Sequence, residues 1–547
     1  MTAQRGGNRV YARDLDRVRA NHQALTPLGF LDWAADVYGS RTGCIYGPER
    51  WSWSEIRRRC RRLASALRGL GVRPGDTVSV LLPNVPAMLE CQFGVPMAGA
   101  VLNALNERLD AATLAAILAD AESTVLITDT TYAPVVREAL CRLARPILVV
   151  DLVDPAEAGQ ALGQLTYGEL LDQGDPEAAP VPPADEWSPI SLCYTSGTTG
   201  PPKGVVCHHR GAYLSALGSA LMLGLRADSV HLWTLPMSHC SGWTLPWAVT
   251  AVGGIHVCLR RPEPARIFRL LAEEQVTHLF AVPSVLSMLL HCPREVLAAL
   301  CRPVEVLAGG AALPDVVIEA LEAMGFRVIH TYGLAEAQGP VMFSARQPAW
   351  QDLPAPERAR MMARQGVRSA IIPELQVADP VTLRPVPNDA ATLGEIMLRG
   401  HTVMAGYLKD PDATAEAFAG GWYHTGDLAV VHADGYVEVR DRAQDIIVSG
   451  GEHISSLEVE QVLQRHPAVL EAAVVARPDP VWGEVPCAFL MLKPDAKRPD
   501  PAKLLRWLRQ QLASYKLPRR FVFGTLPKTA TGRVQKNELR QRARLLD

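Results

Sequence analysis

Ile56, Cys60, Leu63, Leu67 and Leu70 recur at steps of four and three along residues 54–70, the spacing of an amphipathic helix that Ser54 is placed to cap. The run Arg57-Arg58-Arg59-Cys60-Arg61-Arg62 reads as the solvated face of that helix. Gly71 and the turn Arg73-Pro74-Gly75-Asp76 end it, and Val78-Ser79-Val80-Leu81-Leu82 follows as a buried strand. Residues 125–128 and 147–150 are further strand candidates, with helical patterns over 87–98, 111–119 and 132–143. Strands that alternate with helices predict a largely parallel sheet covered on both faces.

Between 172 and 189 the chain turns to Pro, Asp, Glu and Ala, the texture of a surface connection, and it leads into the apolar run Ile190-Ser191-Leu192-Cys193. A second set of alternating elements runs through 212–223, 229–235, 265–274, 278–281, 285–291 and 304–308. Past Arg368, short strands and Pro, Gly and Asp turns up to about Arg440 predict a smaller β-rich subdomain. The pattern resets at Asp441, with Ile446-Ile447-Val448, a helix bearing Leu457, Val459, Val462 and Leu463, a strand over 472–476 and a helix over 501–514. The expected fold class is therefore α/β multidomain. A large N-terminal domain of layered α/β subdomains with a β-rich subdomain occupies 1–440, a hinge 441–444, and a small mobile α+β domain 445–547.

Composition narrows the function classes. A chain of 547 residues exceeds one ordinary core. Its 55 basic and 57 acidic residues, net −2, give no electrostatic reason to expect nucleic acid or a membrane surface as partner. Eleven scattered cysteines with no Cys-x-x-Cys pair support neither a disulfide framework nor a zinc site. The polar, basic residues 1–13 lack the apolar segment of a signal peptide, and no run of about eighteen apolar residues occurs. The expected location is the cytoplasm.

The candidate chemistry starts at Tyr194-Thr195-Ser196-Gly197-Thr198-Thr199-Gly200-Pro201-Pro202-Lys203-Gly204. A strand that runs into small hydroxyl residues, glycines and one lysine offers backbone N–H groups and hydroxyls to an anion, with nothing bulky to keep a phosphate off the main chain. The lysine lies beyond the second glycine and is followed by Gly204, so this is not the Gly-x-x-x-x-Gly-Lys-Ser/Thr phosphate loop. The stretch resembles the signature of the adenylate-forming superfamily, which includes acyl-CoA synthetases, peptide-synthetase adenylation domains and luciferases.

Further motifs carry that resemblance over nearly the whole chain. Pro236-Met237-Ser238-His239-Cys240-Ser241-Gly242-Trp243 looks like the segment bordering the acyl pocket, and the resemblance puts His239, Trp243, Val282, Gly309 and Gly333 on the pocket wall. Ala308-Gly309-Gly310-Ala311-Ala312-Leu313-Pro314 resembles the adenine-facing strand and turn, where Gly310, Ala311 and Ala312 leave a flat base access to backbone. His330-Thr331-Tyr332-Gly333-Leu334-Ala335-Glu336 resembles the Tyr-Gly-x-Thr-Glu motif. There Thr331, Tyr332 and Gly333 face the nucleotide, and Glu336, with Thr198, is implied to hold magnesium, for which a carboxylate is the appropriate hard ligand. Thr425-Gly426-Asp427 implies that Asp427 takes the ribose hydroxyls, and Asp441-Arg442-Ala443-Gln444-Asp445 implies that Arg442 reaches the nucleotide while position 444 serves as hinge. Ser449, Gly450 and Gly451 resemble the loop that admits pantetheine, and Trp482-Gly483-Glu484-Val485-Pro486 matches acyl-CoA ligases. Thr195, Ser196, Gly197, Thr198, Thr199, Gly200 and Lys203 complete the implied cofactor set, and Arg533 stands where the catalytic tail lysine is found.

The resemblance implies ATP, Mg2+ and coenzyme A as cofactors and a small carboxylic acid as substrate. The acid is activated as an acyl-adenylate, and the acyl group then passes to a thiol. Glu336, His239 and Arg533 are the implied catalytic residues. Three positions depart from the pattern: Ala335 replaces the threonine that contacts the α-phosphate, Gln444 replaces a charged hinge residue, and Arg533 replaces lysine, an exchange that alters fork geometry as well as reach. Two alternatives to an acid–CoA ligase therefore stay open. One is an adenylate-forming enzyme with another acceptor or oxyanion, as in amide synthesis or nitrite activation; the other is a non-catalytic nucleotide- or acyl-binding relative. Valine and alanine near residues 281–282 suggest a modest apolar acid. A homodimer is the assembly expected if there is one.

Overall fold

The computed structural model describes residues 15–195, 202–240, 244–494, 496–528 and 534–546. Most of the expected alternation is present. The helix expected over 54–70 is Trp53–Gly69, and its cap is Ser52 rather than Ser54. The Ser52 hydroxyl accepts from the Glu55 N–H while the Glu55 carboxylate accepts from the Ser52 N–H, a reciprocal pair that Ser54 has no partner to match. The apolar face of this helix (Ile56, Cys60, Leu63, Leu67) is buried, and four of the five arginines in its basic run reach acidic partners. Arg57 pairs with Asp36, Arg59 with Glu90, Arg61 with Asp32 and Arg62 with Asp172.

Two large sheets form the body. In the first, strands Thr77–Leu81, Val101–Ala104, Val125–Asp129, Leu148–Leu152 and Pro189–Thr195 run parallel to their neighbours, and Lys203–His208 folds back antiparallel on Pro189–Thr195. The outer edge of that hairpin is closed by a two-residue strand from much later in the chain, Gly406–Tyr407. In the second sheet, Thr42–Tyr46, Ile255–Val257, Val230–Leu232, His278–Ala281, Glu305–Ala308 and Arg327–Leu334 are parallel, with antiparallel strands at both ends. These central strands are largely buried, polar residues such as His231, His256 and His278 included, as in other parallel sheets covered on both faces.

The β-rich stretch expected after Arg368 is a four-stranded antiparallel sheet of Glu374–Ala378, Gly394–Arg399, Tyr423–Val431 and Val437–Arg442. It is not self-contained, since Gly406–Tyr407 leaves it to pair in the first sheet. From Ile447 onward a separate sheet, with helices Ser456–Gln464, Pro501–Leu508 and Lys536–Arg544, builds cores of its own around Ile447, Val459, Leu463, Val474 and Leu490 on one face and Ala473, Val475 and Leu539 on the other. Among the described residues no helix is long and apolar enough to cross a membrane.

Candidate active site

The hairpin that carries the glycine-rich stretch is set by backbone pairing. Tyr194 lies opposite Gly204, and Thr195 opposite Lys203. Ser196, Gly197, Thr198, Thr199 and Gly200, expected to touch phosphate, lie outside the described residues, as do Trp243 and Arg533. Tyr194 is held by its hydroxyl, which donates to Asp120 at 2.5 Å, and the Lys203 ammonium lies 5.1 Å from the centre of the Tyr407 ring.

Strand Arg327–Leu334 carries the second group. The Tyr332 hydroxyl donates to Asp427 Oδ2 at 2.6 Å, and Arg442 Nε stands 3.1 Å from Asp427 Oδ1. Tyr332, Asp427 and Arg442, from three separate strands, therefore meet at one carboxylate. Burial and then the Asp427 charge push the Tyr332 phenol well above its ordinary value, so it stays a donor. Asp427 retains lone pairs for further donors, since an ionised carboxylate accepts at about four positions.

Glu336 sits in the short turn Ala335–Ala337 directly after that strand. Its carboxylate accepts from the Tyr407 hydroxyl at 3.3 Å, and its carbonyl accepts from the Met404 N–H at 2.6 Å. Burial raises its pKa, opposed in part by Tyr407 and Arg442. A withdrawn carboxylate with so few donors suits a hard cation that brings its other ligands as phosphate oxygens and water. Among the described residues there is no cluster of three or more His, Cys, Asp or Glu able to hold an ion alone.

The glycines have distinct reasons. A Cβ on Gly309 would come within 2.8 Å of Thr331 Oγ1, whose hydroxyl already donates to the Ala308 carbonyl, so this residue joins two strands tightly. A Cβ on Gly333 would lie 2.3 Å from the Gly339 carbonyl oxygen, which makes its bareness a requirement of the neighbouring strand before any ligand is considered. Gly310 has φ +84° with open space beside it, while Ala311 is exposed and Ala312 half-buried.

On the expected acyl side, His239 lies in the short helix Met237–Cys240, and burial lowers its pKa to about 4, leaving it neutral at ordinary pH. Val282 is buried at the start of helix Pro283–Leu289. Asn84, which the sequence did not single out, organises this wall. Its amide donates to the Trp233 and Leu235 carbonyls, and its oxygen accepts from the Met237 N–H at 2.7 Å. Tyr407 gives no sequence signal either, because a lone Gly-Tyr pair between turns has no periodicity.

Ser449, Gly450 and Gly451 belong to a tight hairpin between Ile447–Ser449 and Glu452–Ile454. Both glycines have positive φ, +60° and +87°, the combination that a two-residue type I′ turn demands. The Gly450 N–H donates to the Trp482 carbonyl, and a Cβ on Gly450 would meet the Trp482 ring at 2.6 Å. The expected hinge is flanked by bonded carboxylates. Asp441 Oδ2 accepts from the Ser456 N–H and hydroxyl, both at 2.6 Å, and Asp445 pairs with Arg540.

Comparison with known proteins settles the family. The model for AMP-binding enzymes matches residues 31–408, and that for the AMP-binding enzyme C-terminal domain matches 458–533. The chain belongs to the AMP-binding enzyme family. Within this adenylate-forming family it is 47% identical to the Arabidopsis thaliana acetate/butyrate–CoA ligase AAE7, peroxisomal, over 97% of this chain and 96% of that one. It is 46% identical to the Humulus lupulus acetate–CoA ligase CCL3, over 97% of each. The solved structure of Bacillus subtilis o-succinylbenzoate CoA synthetase with its acyl-adenylate superposes with a TM-score of 0.79 at 29% identity, covering 93% of this chain and 97% of that one. The expectation of a cytoplasmic family member is overturned. Besides AAE7, the A. thaliana butyrate–CoA ligase AAE11 and the Petunia hybrida trans-cinnamate:CoA ligase, at 44% and 42% identity, are named as peroxisomal.

Proposed function

We propose that the protein is an AMP-forming acid–CoA ligase acting on a short apolar carboxylic acid, with ATP and coenzyme A as co-substrates. The observation that carries this reading is the meeting of Tyr332, Asp427 and Arg442 one turn away from Glu336, in a chain that matches CoA ligases along its whole length. Asp427 would take the ribose hydroxyls on its free lone pairs, with Tyr332 and Arg442 fixing its direction. Glu336 would hold magnesium, an ion that supplies charge neutralisation at phosphate oxygens. Thr195, Lys203 and the hairpin between them would hold the pyrophosphate half, with Thr198 beside the ion. Gly310, Ala311 and Ala312 would admit the adenine, and His239, Val282, Gly309 and Gly333 would bound the acyl group. A neutral His239 can donate or accept without adding charge to an apolar pocket. Gly450 and Gly451 would keep the thiol path clear. We place the domain boundary at 441–444.

The substrate class follows the relatives named for acetate, butyrate and 2-methylpropanoate, and valine and alanine at the pocket edge agree with a modest apolar acid. Pyrophosphate exchange measured over a panel of acids, with nitrite included, followed by AMP and thioester formation on adding coenzyme A, tests the reading. Exchange stimulated by a short alkanoic acid and thioester formed with CoA is expected. Product formed with an amine and without CoA would refute it.

A further inference from the structure

Tyr407 contacts both halves of the proposed phosphate machinery. Its hydroxyl donates to Glu336 Oε1 at 3.3 Å, and its ring lies 5.1 Å from the Lys203 ammonium, within range for a cation to be attracted to the aromatic face. Tyr423, at the buried start of the strand that carries Asp427, shares with Tyr407 the buried surroundings of Glu336.

The backbone under Tyr407 is fixed on both sides. It pairs with Val205 on the glycine-rich hairpin, the Leu408 N–H donates to the Gly204 carbonyl at 2.7 Å, and the Tyr407 N–H donates to Thr414 Oγ1 at 2.9 Å. A Cβ on the preceding Gly406 would meet Thr414 Cγ2 at 2.9 Å, so the approach leaves no slack. Met404, three residues earlier, donates its N–H to the Glu336 carbonyl. One short strand thus grips the hairpin, the acidic turn and the helix Pro411–Ala417 together.

We propose that Tyr407 is a positioning residue for adenylation: its hydroxyl orients the Glu336 carboxylate toward the metal, and its ring fixes the direction of Lys203 toward the pyrophosphate. This rests on the reading of Glu336 and Lys203 given above. The two contributions separate chemically, because Tyr407→Phe removes only the hydroxyl and Tyr407→Leu removes the ring as well.

The test uses the full chain with Mn2+ in place of Mg2+, following free Mn2+ by its electron paramagnetic resonance in the presence of ATP and without acid or CoA. For Tyr407→Phe we expect Mn2+ held about fivefold more weakly, a size typical of one lost hydrogen bond. Metal-free ATP binding should be unchanged, and the Mg2+ requirement for pyrophosphate exchange should rise in parallel. Thioester formation from supplied acyl-adenylate should stay within about twofold of the wild-type rate. Tyr407→Leu should in addition weaken metal-free ATP binding by about fivefold. Mn2+ binding by Tyr407→Phe equal to wild type would overturn the hydroxyl role, and metal-free ATP binding by Tyr407→Leu equal to that of Tyr407→Phe would overturn the ring role. Glu336→Gln serves as reference. If Mn2+ binding survives that change, the metal reading of Glu336 fails; if it is lost there while Tyr407→Phe keeps it, only the positioning role fails.

Discussion

Lys528 and Lys536 flank the tail loop in sequence and are the nearest candidates to replace the missing catalytic lysine, yet each has another engagement. Lys528 Nζ sits 2.6 Å from Glu471. Lys536 is buried, with its ammonium 2.8 Å from Glu460 and 2.5 Å from the Ser456 hydroxyl. Burial works against its charge, but Glu460, Asp441 and Asp445 outweigh it and raise its pKa. Removing it from that group would leave carboxylates buried without a counterion, which typically costs about 3–5 kcal/mol. We propose Arg533, at the position where the resemblance places the catalytic lysine, as the cation that serves adenylation. Arg533→Ala should lower pyrophosphate exchange at least about a hundredfold, the scale of losing one transition-state donor, while thioester formation from supplied acyl-adenylate changes little. Equal loss in both half-reactions, measured separately, would remove that role. Arg533→Lys distinguishes an adapted residue, whose replacement slows exchange, from a degraded one, whose replacement speeds it.

At the scale of elements, the Gly450-Gly451 turn makes a sharper demand than composition alone conveys. Alanine at 450 meets both a positive φ and the Trp482 ring, so Gly450→Ala should destabilise the hairpin by about 1–3 kcal/mol. Thioester formation should suffer more than pyrophosphate exchange, and parallel losses would argue that the turn is only structural. The sequence marks residues 449–451 only as a loop, and the hairpin with its two positive φ angles depends on pairing that composition does not show. The helix 53–69, the parallel strands and the C-terminal unit were readable because a repeating apolar spacing is a local property. What escaped was non-local. Helix Gly29–Tyr38 and strand Thr42–Tyr46 gave too short a pattern, Ser52 rather than Ser54 caps because its partner Glu55 sits at the right step, and Gly406–Tyr407 takes its place from pairing with residues about 200 positions earlier. The motif residues of the site were legible one by one, whereas the contacts among Tyr332, Asp427 and Arg442, and the position of Asn84, depend on which strands become neighbours.

The whole molecule carries a set of histidines that stay neutral by burial. His231 lies opposite His256 on one neighbouring strand and His278 on the other, and burial pulls His256 down to about 3 and His208, His209, His278 and His330 to about 4. Unfolded, each would titrate near 6.5, so the unfolded chain binds more protons once the pH drops below that value. These groups therefore cost nothing above about pH 6.5, and each removes up to about 1.4 kcal/mol of stability per pH unit from there down to its folded pKa. The urea midpoint should fall steeply between pH 6.5 and pH 4.5, and a midpoint flat over that interval would contradict the burial of these rings. The late strand Gly406–Tyr407 bears on a different stage of the protein's life. Strand Lys203–His208 is made early, but the segment that covers its outer edge leaves the ribosome about 200 residues later, roughly 10–40 s at ordinary rates of synthesis. Throughout that interval the outer edge of strand Lys203–His208 lacks its partner, a template for pairing with other chains, so the nascent protein should need chaperone cover most before residue 407 emerges.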